Sequence, residues 1–409
     1  MSGSLISLVG IVVLFAIAIA FSSNRGAIRP RVVLSAFALQ VVIALVVLYL
    51  PIGKSMINGI SGGVLAVIGY ASAGIGMIFG DLYDPNGPNP FAVGVLPVII
   101  FFASLMAVLY HIGIMQWVVR IVGGGLQRII GTRPVESLNA AANIFVGQTE
   151  APLVVRPYLL SITKPQLFTI MVSGTASVAG TVLVAYQGMG ADLEYLLAAS
   201  FMAAPGGLLM AKLMMPDEPE TAEEKAAPLT ESVVIEKEKN VILAAAAGAQ
   251  DGVRLAVMIG AMLLAFVALI ALCNGVIGSL FGLVGIEDMT VERMLGWVFS
   301  PLMWLLSVPW DEAQIAGSLF GKKLILNEFV AFFDFGLVKD TLSPRTNAVI
   351  TFSLCGFANL SSIAILLGGL GVLIPEQREL IGQFGIKAVL AGSLSNLMSA
   401  ALASLMLGL

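Results

Sequence analysis

Histidine and cysteine are almost missing from this sequence, and charge is scarce. His111 is the single histidine in 409 residues, and it lies beside Tyr110 at the end of an apolar run, which excludes a histidine-based metal centre. The two cysteines, Cys273 and Cys355, sit inside apolar segments, where a small hydrophobe is the expected role, so neither disulfide stapling nor redox chemistry is indicated. Charged residues make up 11% of the chain, against roughly a quarter in an ordinary soluble domain. The net charge of −4 comes without a basic patch interleaved with aromatics, and nucleic acid is therefore not an expected partner. No pair of aspartates falls within an apolar run and no base neighbours Ser177, so an intramembrane enzyme lacks its chemistry.

What is present is apolar: 58% of the residues are hydrophobic. Uninterrupted runs at 5–21, 32–50, 91–110 and 253–281 are long enough to cross a hydrocarbon core of ~30 Å at ~1.5 Å per residue. The first run has no basic region before it and no small-residue cleavage site after it, and is read as a mature helix rather than a signal peptide. Arg25, Arg29 and Arg31 follow it and place that loop in the cytoplasm, with the N-terminus outside. The glycine-rich stretch 54–79 reads as an interfacial or obliquely packed helix, and 81–90 as a turn cluster on the outer side.

Beyond residue 114 one pattern occurs twice. An amphipathic stretch at 115–130 precedes a polar-centred segment at 135–160, which reads as a hairpin entering and leaving on one side, then spans at 164–186 and 195–215. A second amphipathic stretch at 292–306 precedes a hairpin at 311–335 and spans at 346–370 and 384–409. The expected division is N-terminal spans at 1–114 acting mainly as scaffold, a first repeat at 115–215, a cytoplasmic loop at 216–252, a scaffold span at 253–285 and a second repeat at 286–409. The loop is acidic, with eight acids and three lysines between Asp217 and Lys239, and acids contribute little to orientation. One added span between the copies inverts the second. The expected fold is an all-α membrane protein of about eight transmembrane helices plus two re-entrant hairpins, an inverted repeat of the kind secondary transporters use.

The polar residues at hairpin centres carry the chemistry. Asn143, Gln148, Thr149 and Glu150 lie at the tip of the first hairpin, and Asn327 and Glu328 at the tip of the second. A carboxylate at membrane depth costs a few kcal/mol at the least, so both glutamates need a reason; capping a helix end at an aqueous face is the bland one. In the paired spans, Gly174-Thr175-Ala176-Ser177-Val178 aligns with Gly356-Phe357-Ala358-Asn359-Leu360, each polar group three residues after a glycine. Helix packing alone accounts for Gly174 and Gly356, whereas Ser177 and Asn359 suit binding. An interrupted helix offers free carbonyls to a sodium ion and free amides to a polar solute.

Several blocks together carry a resemblance. Gly147-Gln148-Thr149-Glu150-Ala151-Pro152 with Val155-Arg156-Pro157-Tyr158, Leu326-Asn327-Glu328-Phe329-Val330-Ala331, Ser343-Pro344-Arg345 and Cys355-Gly356-Phe357-Ala358-Asn359-Leu360-Ser361-Ser362-Ile363 resemble the signature blocks of concentrative nucleoside transporters, in order and over nearly the whole chain. The resemblance implies that Gln148, Thr149 and Glu150 face the nucleobase, with Gly147 leaving room for purine or pyrimidine. It implies that Glu328, Asn359 and Ser362 hold the ribose and that Phe357 packs near the sugar. It assigns a coupling sodium to the Asn143 side chain, the Ser177 hydroxyl and the Ile144 and Val178 carbonyls. It further implies a homotrimer in a bacterial inner membrane, importing nucleosides of the uridine, cytidine and adenosine class by an elevator-like motion of a transport domain against a scaffold. Proton coupling, or carriage of another small polar solute, stays open at this stage.

Overall fold

The computed structural model describes residues 3–84, 87, 89–217, 238–283, 285 and 288–408, and the described residues are helical throughout, without strands. The chain begins with α1 (Gly3–Ala20) and α2 (Pro30–Ala44), which ends in a π-helical turn, Leu45–Tyr49. Next come α3 (Pro51–Gly69), α4 (Ala71–Phe79), the short α5 (Phe91–Gly94) and α6 (Leu96–His111). The first repeat contains α7 (Ile114–Ile130), a hairpin of α8 (Pro134–Ala142) and a 3-10 helix (Ala151–Ser161), a broken span of α9 (Lys164–Ala176) and α10 (Gly180–Gly188), and α11 (Leu193–Met214).

After α12 (Val241–Gly282) the same order returns. It comprises α13 (Val291–Leu305), a hairpin of α14 (Trp310–Ile325) and α15 (Glu328–Val338), a broken span of α16 (Pro344–Leu354) and α17 (Ser361–Leu373), and α18 (Arg378–Leu407). The boundaries follow local chemistry. Asn240, Thr290, Asn327 and Ser343 each accept a hydrogen bond from a backbone amide three residues on, the N-cap role that short polar side chains fill. Pro134 and Pro344 open their helices, where a missing N–H costs nothing.

Four expectations are corrected in detail. The long helix begins at Val241, so residues 241–252 belong to it and not to the preceding loop, whose residues 218–237 lie outside those described. At 42 residues this helix is about 60 Å long, twice the hydrocarbon thickness. The second limb of the first hairpin is a 3-10 helix, and within it Pro157 supplies no amide to an α-helical ladder. The two breaks also differ in length: three residues separate α9 from α10 and six separate α16 from α17. Ser177 therefore opens its break whereas Asn359 nearly closes its own, and the two are not structural equivalents. Gly174 lies inside α9, while Gly356 lies in the break itself.

The packing also sorts the elements. α9, α11, α16 and α18 form the centre, with α9 and α16 both against α18. α1 packs on α18 and α2 on α11, so this N-terminal pair does not group with α6, whose main partner is α12. α6, α12 and the α3–α4 region keep most of their apolar surface outward, whereas α9–α10, α11 and α18 are almost wholly covered. By length and composition residues 51–82 could cross a bilayer. Yet α3 packs on the last turn of α2 and on α11 rather than back along α2, and Gly53 lets it turn away against the Val46 carbonyl. That is the packing of an oblique helix. Each hairpin is also tied by buried charge: Glu136 of α8 meets Lys212 of α11 at 2.5 Å, and Lys322 of α14 meets Asp334 and, at 3.0 Å, Glu292.

Gly356 sits where a Cβ would overlap the Asn396 amide of α18. Gly356→Ala should therefore destabilise the protein in detergent by ~1–3 kcal/mol, the usual cost of overpacking, read as a lower thermal midpoint; an unchanged midpoint contradicts this close approach.

Candidate functional site

Two interrupted helices leave backbone groups that must find partners away from water. Each break reaches a hairpin. The Gly180 amide donates to the Phe145 carbonyl of the first hairpin at 2.9 Å, and the Leu360 amide donates to the Leu324 carbonyl of the second at 3.1 Å. The breaks also join each other, through the Phe357 amide and the Ser177 carbonyl at 3.0 Å. Asn396 completes the junction, donating to the carbonyls of Ala176 (2.7 Å) and Cys355 (3.0 Å). Both hairpin tips and both breaks are thus held at one place.

A cavity of about 510 Å³ opens there between the hairpins and the α6–α12 pair, within the size range of small-molecule sites. Gly147, Gln148, Thr149, Glu150, Glu328, Phe357, Asn359 and Ser362 all line it. Every residue expected to contact substrate is brought together, from elements up to 215 positions apart. Ala103, Met106 and Ala107 of α6 and Leu255, Met258 and Met262 of α12 close the opposite wall.

The polar groups form one chain of hydrogen bonds. Glu328 is 2% exposed; its Oε1 accepts from the Tyr186 hydroxyl at 3.0 Å and its Oε2 from the Asn359 amide at 2.7 Å. Asn359 Oδ1 accepts from the Ser362 amide (2.9 Å) and the Ser361 hydroxyl (2.7 Å). Ser362 accepts from Gln148 Nε2 at 3.3 Å and donates to the Phe357 carbonyl. Two accepted bonds leave the Glu328 carboxylate about two more acceptor sites. Gln148 Oε1 is buried without a partner. Gly174 is what admits Gln148, since a Cβ there would lie 2.7 Å from the Gln148 Cβ; helix packing therefore understates that glycine. Glu150 is exposed, held at 2.8 Å by Thr149, and also lines a second cavity of about 340 Å³ beside Tyr110 and His111. The two glutamates share a cavity but not an environment.

The residues expected to hold an ion are buried at the first break: Asn143, Ile144, Ser177 and Val178. Asn143 donates from Nδ2 to the Asn139 carbonyl, and its Oδ1 is buried without a partner. The Ile144 carbonyl already accepts from Ser200 at 3.2 Å, which leaves one lone pair. Neutral oxygens of amide, hydroxyl and carbonyl type suit a hard monovalent cation. Among the described residues no cluster of three or more His, Cys, Asp or Glu could hold a metal.

Three residues escaped the sequence reading: Tyr186, Lys323 and Asn396. The rule that flagged the glutamates, an ionisable group at membrane depth, applies equally to Lys323, and a lone amide within the last span could have flagged Asn396. Tyr186 gave no such signal, since its ring packs as a hydrophobe, stacked on Phe332 at 4.3 Å and edge-on to Phe329 at 5.1 Å.

Tyr186→Phe keeps that stack and removes one donor from a buried carboxylate. The loss should be ~1.5–3 kcal/mol, the range for a hydrogen bond to a charged group. It should shrink to ~0.5–1.5 kcal/mol, the range for a neutral pair, when Glu328→Gln is already present, because the glutamine oxygen still accepts; equal losses in both backgrounds, by thermal unfolding in detergent, contradict a bond to the carboxylate.

Three family models cover most of the chain. "Na+ dependent nucleoside transporter N-terminus" matches residues 9–82, "Nucleoside recognition" 92–193 and "Na+ dependent nucleoside transporter C-terminus" 195–404. An uncharacterized transporter of Haemophilus influenzae is 51% identical, covering 98% of this chain and 98% of its own. The nucleoside permease NupC of Helicobacter pylori is 48% identical over 99% of this chain and 98% of its own. Among solved structures, CNTnw in an inward-facing substrate-bound state is 51% identical with a TM-score of 0.92, covering 100% of this chain and 98% of that one.

Proposed function

This chain belongs to the concentrative nucleoside transporter family, a family of carriers and not of enzymes, and we propose that it is a sodium-driven symporter importing nucleosides across a bacterial inner membrane. One observation carries the recognition step: the Glu328 carboxylate is buried at the meeting point of both hairpins and both breaks, oriented by Tyr186 and Asn359. Its two remaining acceptor sites match the two vicinal hydroxyls of a ribose, with Asn359 and Ser362 beside it and Phe357 against the sugar. Burying such a carboxylate is costly without partners, and a dihydroxy sugar supplies two donors at once. The base lies toward the first hairpin, where Gln148 Oε1 is free to accept from a ring or exocyclic N–H. Gly147, Thr149 and Glu150 frame the open side.

The sodium ion is held by Asn143 Oδ1, the Ser177 hydroxyl and the Ile144 and Val178 carbonyls. Bound there, it supplies positive charge to oxygens at the first break and fastens that break to the hairpin tip that carries Gln148. Coupling follows, because the substrate needs the same tip in place. The descriptions of both terminal family models as Na+-dependent support this choice of ion over a proton.

Alternating access is proposed to move the hairpins, broken spans, α11 and α18 as one body along α6 and α12. The substrate cavity lies on that seam, and the polar groups that line it come mostly from the moving side. Because α1 and α2 pack on α11 and α18, they travel with that body, and the scaffold is smaller than residues 1–114 plus 253–285. The outward apolar surface of α6, α12 and the α3–α4 region suits lipid and the neighbouring subunits of a homotrimer. The exposed Arg25, Arg29 and Arg31 support a cytoplasmic position for the first loop.

Proteoliposomes provide the test. Uridine uptake should follow an imposed sodium gradient, and Glu328→Gln should abolish it in a protein that stays folded in detergent. Uptake driven equally by a proton gradient overturns the ion assignment; undiminished uptake by Glu328→Gln overturns the carboxylate's role. Competition by free uracil or ribose should be weak beside unlabelled uridine, and equal competition by either fragment points to another polar solute.

A further inference from the structure

The two breaks are satisfied by different means. At the first, acceptors are in surplus: Asn143 Oδ1 and Asn139 Oδ1 are both buried without partners. At the second, a charged donor is built in. Lys323 of α14 is completely buried, and its ammonium donates to the Ser353 carbonyl in the last turn of α16 at 2.8 Å and to Asn396 Oδ1 at 2.7 Å. Asn396 passes the contact on, donating to the Ala176 carbonyl at the end of α9 and to the Cys355 carbonyl.

Helix C-termini carry partial negative charge, and α9 and α16 both end at this junction. Lys323 and Glu328 flank the tip of the same hairpin, both buried, and the second break ties them together: the Leu360 amide donates to the Leu324 carbonyl beside Lys323, and the neighbouring Asn359 donates to the Glu328 carboxylate. An ammonium is tolerated at such depth only when negative groups surround it, and those groups in turn need it. Substrate does not reach Lys323, because the residue does not line the cavity. Lys322 points to a separate network with Asp334 and Glu292, so the two adjacent lysines do different things.

We propose that Lys323 is a tethered counter-ion: in the second repeat its ammonium does what a cation from solution does in the first, neutralising the converging helix ends, and it positions Glu328 by compensating its charge. The proposal rests on the reading of Glu328 as a sugar ligand and deepens it. Lys323 is thus a positioning residue, acting on substrate only through Glu328 and the second break.

A charge cycle tests this without any substrate. Lys323→Met keeps the apolar stem and deletes the charge, and its thermal midpoint in detergent should fall well below wild type. Lys323→Met/Glu328→Gln should recover most of the fall, because no carboxylate is then left uncompensated. A double variant whose loss is the sum of the single losses overturns the proposal, and so does a Lys323→Met that keeps the wild-type midpoint. If Lys323→Met yields no folded protein, the double variant should still yield it, and failure of both overturns the proposal. In calorimetry with uridine and sodium, Lys323→Met should bind about tenfold more weakly or worse, and unchanged affinity contradicts the positioning role. If wild type itself fails to bind uridine, the nucleoside reading is lost while the unfolding cycle still decides the counter-ion.

Discussion

The structure depends on one constraint: backbone groups freed in the middle of a membrane-spanning helix must be hydrogen-bonded by protein, because no bulk water is there to do it. Both broken spans meet it in the same place. Phe357 bonds to Ser177, each break bonds to one hairpin, and the Asn396 amide takes the carbonyls left over from both. The hairpin tips are thereby fixed against the breaks, and the polar side chains that line the cavity are carried by residues adjacent to these bonds. Gln148 and Glu328 stand within a few positions of Phe145 and Leu324, and Asn359 stands next to Leu360. The polar lining of the cavity is thus built on the same bonds that repair the backbone.

This arrangement explains why polar residues cluster so tightly in a chain otherwise poor in them. The covered helices α9, α11 and α18 contact one another through small and hydroxylic residues, and Ser173, Thr175, Ser395 and Ser399 are all buried. Close packing of that kind brings helix ends near enough for one amide to bridge two of them. The α6–α12 pair is different: it is mostly apolar and outward-facing, and it lines the cavity with alanine, methionine and leucine, together with the Asp251 and Arg254 pair of α12.

Much of this was legible in the sequence. Hydrophobic run lengths gave the spans, a turn cluster gave the connection at 81–90, and polar tips inside apolar runs gave the hairpins and the residues of the cavity. What was not legible has physical reasons. Helical periodicity does not distinguish an α-helix from the 3-10 limb at Ala151–Ser161, and alignment on glycine does not reveal that one break is twice as long as the other. Lys323 and Asn396 do their work on backbone carbonyls from distant segments, a contact no local pattern encodes. Tyr186 hides a hydrogen bond behind an aromatic stack. The apolar runs marked α1 and α2 as spans but not which helices they would pack on.

The most direct measurement is uridine binding to Asn396→Ala by calorimetry in saturating sodium. Asn396 lies outside the cavity, and its side chain hydrogen-bonds to Lys323 and to the carbonyls of Ala176 and Cys355 at the two breaks. If those bonds hold the site together, the variant should remain helical and bind about tenfold more weakly or worse. Wild-type affinity in a folded Asn396→Ala protein would contradict the account.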